Sequence, residues 1–204
     1  MVKLSALVCV RDEEARLADC LSRLDFCDEI VVVADRCVDR TEAIALEMGC
    51  KVVSGAFPLE GPRKQAGIEA CAGEWIIEID ADEWVGAPLA QEIRRTVEAG
   101  AQGDYFQIPV DNYVGERLVR RGWGGSFGTS SVARLYRRGV KHWKEHRVHP
   151  GVTFTGVLAG SLTSPIRHKV DEDIADMVAR LNRYTDLRAL DLADTGGKIG
   201  LADN

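Results

Sequence analysis

Asp80-Ala81-Asp82-Glu83 puts three carboxylates within four positions, directly behind the apolar run Trp75-Ile76-Ile77-Glu78-Ile79. Carboxylates so close repel one another unless something neutralises them, and a divalent cation carrying a polyphosphate is one agent that does. The plainer alternative is a strand that ends in a solvated acidic turn, and an Asp-x-Asp pair alone is too short to decide. Other acids follow other apolar runs. Asp12 stands behind residues 3–10, and Asp35 stands behind residues 29–34. Parallel strands present their C-terminal ends along one sheet edge, where open α/β folds bind ligands. Asp12, Asp35, Asp80 and Asp82 are therefore expected to line one crevice.

The elements that must position these residues alternate in type. Residues 3–10, 29–34, 51–54 and 75–79 are short apolar runs without period-two alternation, as in strands buried on both faces. Between them lie helical patterns near 17–24, 39–48 and 63–71, and Pro88 opens another that reaches about residue 98. This order predicts an α/β fold with a Rossmann-like, mostly parallel sheet flanked by helices. After Gly103 the texture changes. Strand-like runs at 105–110, 117–121 and 131–136 are separated by glycine-rich turns, and residues 173–192 form a long amphipathic pattern with Ile174, Met177, Val178, Leu181, Tyr184 and Thr185 on one face. No linker separates the parts. The expectation is a single domain over 1–204, with a ligand-binding half at 1–103 and a less regular half with a C-terminal helix at 104–195.

The chain has 204 residues, 46% hydrophobic and 28% charged, and a net charge of −6. Residues 117–147 carry nine Lys and Arg against the single acid Glu145, so the rest of the chain is strongly acidic. One basic segment on an acidic body suggests an anionic ligand or phosphate-bearing surface met at a defined place. Few aromatics are available to stack bases, so nucleic acid is not expected as a partner. No apolar run approaches the roughly 20 residues that span a bilayer. All six cysteines fall between Cys9 and Cys71 without a Cys-x-x-Cys pair, which fits buried thiols in a reducing cytosol. A cytoplasmic location is expected.

The first strand is followed by Arg11-Asp12-Glu13-Glu14 rather than a glycine-rich turn, which argues against a dinucleotide-binding domain and against a P-loop. The order of motifs instead resembles family 2 glycosyltransferases of the GT-A fold. Val8-Cys9-Val10-Arg11-Asp12-Glu13-Glu14 is similar to their first-strand nucleotide motif, and Val33-Ala34-Asp35-Arg36-Cys37-Val38-Asp39-Arg40-Thr41 to their second. Gly61-Pro62-Arg63-Lys64-Gln65-Ala66 is similar to the segment ahead of their metal strand. Ile79-Asp80-Ala81-Asp82-Glu83-Trp84 matches the metal motif of the branch that builds lipopolysaccharide cores, and residues 181–187 resemble a helix of that branch.

The resemblance implies roles. Asp35 would accept a hydrogen bond from uracil, Arg11 would lie beside the base, and Asp12 belongs to the same nucleotide motif. Lys64, helped by Arg63, would neutralise phosphate. Asp80 would face the ribose or the metal, and Asp82 would ligate Mg²⁺ or Mn²⁺ that bridges the diphosphate and stabilises the leaving group. His149 and His168 match positions where a histidine touches the diphosphate or metal. An inverting transfer also needs a carboxylate base. Where relatives read Val-His-Glu this chain has Val148-His149-Pro150, so the first candidate is Glu145 and the second Asp111. His142, His146 and His149 could also be read as a zinc cluster, although Pro150 and the basic surroundings favour a phosphate-facing loop. Trp123 and Trp143 are candidates for shaping an acceptor pocket.

The expected function is a metal-dependent, inverting transfer of a sugar from a nucleotide-sugar donor, a UDP-sugar, to a glycan or glycolipid acceptor such as lipopolysaccharide core. The basic segment would meet acceptor phosphates or anionic head groups, giving peripheral contact with the inner face of the cytoplasmic membrane. The alternatives are a sugar-phosphate nucleotidyltransferase, which would want a glycine-rich loop after the first strand, and a non-catalytic nucleotide-sugar-binding scaffold, in keeping with Pro150.

Overall fold

The computed structural model describes residues 3–100, 102–119, 130–144 and 151–194. Four strands form a first parallel block of the main sheet: β1 (Leu4–Val10), β2 (Glu29–Asp35), β3 (Lys51–Gly55) and β4 (Trp75–Ile79). Their spatial order is β3-β2-β1-β4. The connecting helices are α1 (Leu17–Ser22), α2 (Thr41–Glu47) and α3 (Glu60–Ala70). The sheet then continues through β5 (Glu83–Trp84), β6 (Tyr105–Val114), β7 (Arg117–Leu118), β8 (Ser130–Arg137), β11 (Leu158–Ser161) and β12 (Ile166–Asp171). From β4 the order runs β8-β6-β12-β5, with β7 and β11 also paired to β6. A separate hairpin is made by β9 (Lys141–Trp143) and β10 (Val152–Phe154). Helices α4 (Ala87–Glu98) and α5 (Ile174–Asp194) complete the described residues. The expected α/β class and mostly parallel sheet are what the structure has.

Two apolar layers cover the sheet. On one face, Leu4, Ala6, Val8, Trp75, Ile77 and Ile79 pack with Leu17 and Leu21 of α1, Ala45 of α2, and Leu89, Ile93 and Val97 of α4. On the other, Leu7, Val31, Val33 and Ile76 pack with Ile68 of α3 and Tyr136 of β8, and Trp143 and Phe154 of the hairpin close this layer. Helix α3 lies unusually close to the strands because residue 67 is glycine. A Cβ there would stand 2.4 Å from Leu7 Cδ1 and 2.8 Å from Val33 Cγ2. That close approach lets Lys64, one turn earlier, reach the end of β4.

The second half holds more strand than its sequence pattern predicts. β9, β11 and β12 carry no apolar alternation, β10 is only three residues long, and β6 runs to Val114 rather than ending near residue 110. The strand expected at 117–121 is described only as the pair Arg117–Leu118 on β6. The apolar stripe of α5 is largely uncovered, with Ile174 71% and Val178 48% exposed. This helix is instead tied to β12 by Arg180, whose guanidinium donates two hydrogen bonds to the buried Asp171 carboxylate at 3.0 and 2.8 Å. All six cysteines are free thiols, and Cys20, Cys50 and Cys71 are buried.

Candidate active site

Register fixes the site. Val10 pairs with Ala34 and Val8 with Ile79, so β1, β2 and β4 end along one edge. The chain leaves β1 and β2 in the same unusual way. Asp12 and Arg36 both have φ of 53°, and non-glycine residues pay roughly 1–2 kcal/mol for that left-handed conformation. Such strain persists where surrounding structure enforces it, and functional sites are common places for it.

Asp12 Oδ1 accepts the Val38 amide at 2.8 Å, and Asp39 accepts the amides of Glu14 and Thr41 at 3.0 and 2.9 Å. These acids staple the segment after β1 to the segment after β2. Asp12, Cys37 and Asp39 bring their donor atoms within 4.8 Å of one another, yet both carboxylates already hold backbone amides. Arg11 is exposed beside them.

Asp35 is buried at the tip of β2. Arg36 donates to both of its oxygens at 2.9 Å, and the Phe57 amide donates to Oδ1 at 2.9 Å. Arg63 stands 3.7 Å from Oδ2. Burial pushes this carboxyl up, but the Arg36 guanidinium and the Phe57 amide outweigh it and hold it below the usual range. A carboxylate offers about four acceptor positions. Three are taken, so one on Oδ2 is left.

The turn after β4 is closed from within. Glu83 N donates to the Asp80 carbonyl at 2.9 Å, and Asp80 N donates to Glu83 Oε2 at 2.8 Å. Asp80 lies between two cations, with Lys64 Nζ 3.2 Å from Oδ1 and Arg134 Nη2 2.6 Å from Oδ2. Arg134 also donates to Glu83 Oε1 at 2.9 Å and to Glu78 Oε1 at 3.4 Å. Glu78, 1% exposed in the middle of β4, further accepts Lys64 at 3.0 Å, Lys141 at 2.6 Å and the Tyr136 hydroxyl at 3.1 Å. Burial of Glu78 favours its neutral form, but the Lys64, Lys141 and Arg134 charges prevail and bring its carboxyl down to about 2. Desolvation favours the neutral form of Asp80, but Arg134 and Lys64 outweigh it and hold this half-buried carboxyl far below the usual range. For Glu83 burial wins, with Asp80 adding to it, and its carboxyl is pushed up to about 7. Burial works against charge on Lys64, yet Asp80 and Glu78 raise it above the ordinary lysine value.

Asp82 has different surroundings. Its Oδ2 lies 3.4 Å from His168 Nε2, and its backbone carbonyl accepts the Lys169 amide at 3.0 Å. Strand β12 brings both residues there by pairing antiparallel with β5, His168 opposite Glu83. His168 Nδ1 is 2.8 Å from the side-chain oxygen of the buried Asn112 on β6, which directs Nε2 at Asp82. Burial lowers the tendency of His168 to protonate, but the Asp82 carboxylate raises its pKa above the usual value. The turn also separates two cavities. One of about 390 Å³ is bounded by Glu60, Lys64, Asp80, Arg134, Lys141 and Trp143, among others, and one of about 230 Å³ adjoins Asp82, Arg16, Asp19 and Lys169.

Asp12, Asp35, Lys64, Asp80, Asp82 and His168 thus stand at one sheet edge. Asp111 does not join them through any contact. It is half-buried on β6, and strand alternation sends its side chain to the face opposite that of Asn112. Glu145, Trp123, His146 and His149 lie outside the described residues. Trp143 does line the larger cavity. The basic segment is not a uniform outer surface, since Arg134 and Lys141 turn inward onto Glu78 and Arg137 pairs with Glu74. Sequence reasoning passed over Arg134, Lys141 and Tyr136. A signal was present in Glu78, a lone acid inside a buried apolar strand, which demands partners.

The family model described as "Glycosyl transferase family 2" matches residues 5–156. The chain belongs to this family. A curated relative, the lipopolysaccharide core biosynthesis glycosyltransferase LpsC of Rhizobium meliloti (strain 1021), is 27% identical over 206 residues, covering 95% of this chain and 73% of that protein. An uncharacterized glycosyltransferase of Rickettsia typhi (strain Wilmington) is 30% identical over 211 residues, covering 98% of this chain and 71% of its own length. Family membership and these relatives make the protein a glycosyltransferase. Among solved structures, S. aureus TarS 1–349 is similar with a TM-score of 0.60 at 15% identity, covering 82% of this chain and 60% of that one, a likeness of fold. The family match stops at residue 156, so β12 and His168 lie beyond it.

Proposed function

We propose that this glycosyltransferase moves a sugar from a nucleotide-sugar donor, a UDP-sugar, to a hydroxyl of a surface glycan such as lipopolysaccharide core, with inversion and with Mg²⁺ or Mn²⁺. The observation that carries the reading is the contrast within the Asp80-Ala81-Asp82 turn. Asp80 is already held between two cations, Lys64 and Arg134, whereas the Asp82 carboxylate, about as exposed as that of Asp80, has the histidine ring of His168 beside it, which is backed by Asn112. Two protein donors make an incomplete cage for a divalent ion. That fits Mg²⁺ and its relatives, which are typically held by one or two carboxylates together with substrate phosphates. Asp82 and His168 would hold the ion, whose chemistry is to stabilise charge on the departing diphosphate. Asp35 keeps one acceptor position for the base, and Arg63 beside it offers positive charge. Arg11 and Asp12 flank the same edge.

The identity to LpsC supports an acceptor of the lipopolysaccharide-core kind. Arg117, Arg138 and Lys144 remain exposed and suit acceptor phosphates or anionic head groups. No helix among the described residues is long and apolar enough to cross a membrane.

The test measures UDP release from UDP-glucose and related donors with Mn²⁺, with and without lipopolysaccharide-core acceptors, alongside calorimetric binding of UDP. Wild type is expected to bind UDP only when Mn²⁺ is present, and Asp82→Ala to lose that dependence along with turnover. Undiminished Mn²⁺-dependent binding by Asp82→Ala would remove Asp82 from the metal role.

A further inference from the structure

Arg134 has a place that the reading above leaves unexplained. Its side chain, 14% exposed, is the common partner of three carboxylates, at 2.6 Å from Asp80, 2.9 Å from Glu83 and 3.4 Å from Glu78. It comes from β8, the antiparallel neighbour of β4, where Leu135 pairs with Ile77, so the ladder itself carries Arg134 alongside Glu78. These three acids occupy positions 78, 80 and 83, and folding the turn would press Glu83 against Asp80 without a cation between them. Lys64 cannot substitute, because its single ammonium is already shared among Glu60, Glu78 and Asp80.

We propose that Arg134 is the positioning residue of the metal turn: a resident cation that pins Asp80 and Glu83 so that Asp82 is the carboxylate presented to the divalent ion and diphosphate. This rests on the donor and metal reading above. Arg134 acts through Asp80 and Glu83, within the protein. The role calls for arginine in particular. A planar guanidinium fork addresses several oxygens in fixed geometry, whereas a lysine ammonium is a compact charge on a flexible stem, without the fork that holds Asp80, Glu83 and Glu78 in this arrangement.

The experiment compares wild type, Arg134→Lys and Arg134→Ala by calorimetric binding of Mn²⁺ with UDP, by kcat and KM for UDP release, and by urea unfolding. Arg134→Lys is expected to stay folded and to bind Mn²⁺–UDP about tenfold or more weakly, the usual effect of removing a residue that orients a metal ligand. In Arg134→Ala, millimolar guanidinium should restore Mn²⁺–UDP binding in part, while ethylammonium of equal charge should not. An Arg134→Lys protein with wild-type affinity and turnover overturns the proposal. So does a folded Arg134→Ala protein that guanidinium leaves unchanged. If wild type itself binds no Mn²⁺–UDP, the donor reading fails and this inference fails with it, a result distinct from wild type binding and both variants matching it.

Discussion

Glu78→Gln tests how much stability depends on the buried charge cluster. Glu78 takes four donors from Lys64, Arg134, Tyr136 and Lys141 while 1% exposed. Its removal leaves Lys64, Lys141 and Arg134, all largely out of water, facing Asp80, Glu83 and the more exposed Glu60. Breaking a buried ion pair from one side costs about 3–5 kcal/mol, because a charge is left uncompensated out of water. For a protein of this size, each kcal/mol shifts the melting midpoint by about 2–4 °C, so the variant should melt about 6–20 °C lower. Urea unfolding at neutral pH checks the figure, with a lower midpoint and an unchanged m-value marking lost stability rather than an altered unfolded state. The same reasoning makes a sharper claim about the double variant. Adding Lys141→Met removes one surplus cation and restores balance, so Glu78→Gln/Lys141→Met should be more stable than the two single losses summed, by about 1 kcal/mol or more. A loss below about 1 kcal/mol for Glu78→Gln, or strict additivity in the double variant, would refute the account.

Gly67→Ala puts a methyl 2.4 Å from Leu7 Cδ1 and should destabilise by about 1–3 kcal/mol in urea, while Gly49→Ala, with open space but φ of +75°, should show only the backbone cost. Burial pushes the thiols of Cys20 and Cys71 up to about 12, which leaves them protonated at pH 8, so they should resist iodoacetamide in the native protein while all six cysteines react in urea. Rapid native labelling of Cys20 would contradict its burial.

The first half was legible because each element announces itself. Ile30 to Val33 and Ile76 to Ile79 are runs that only doubly covered strands tolerate, and the acids behind them fall at strand ends as the parallel order requires. The second half was hard to read for an equally physical reason. β12 reads Ile166-Arg167-His168-Lys169-Val170-Asp171, polar at most positions because its side chains answer to other charged groups rather than to the apolar core. Pairing, not periodicity, makes it a strand. Arg134 and Lys141 looked like members of an exposed basic stretch, since sequence does not reveal which cations meet a buried acid sixty residues away. Asp111 is an acid in a strand-like run, and only the pleat shows that it lies on the face of β6 opposite the one that Asn112 shares with His168. The hydrogen bonds of Arg36 to Asp35 could not be foreseen either, because they depend on the left-handed backbone at residue 36.

The β5–β12 pairing also bears on how the molecule comes together. His168 and Glu83 are opposed across a sequence separation of some 85 residues, whereas β1 pairs with β2 and β2 with β3 across about a quarter of that length. Contacts closed over long loops form late, so β1, β2 and β3 can assemble while the Asp80–Glu83 turn still lacks its outer strand. A fragment cut where the family match ends, at residue 156, would retain the sheet edge and forfeit His168 together with the strand that grips the turn. A half-made chain can therefore look folded by its sheet and still have an unfinished site, which leaves competence for chemistry to the last piece to dock.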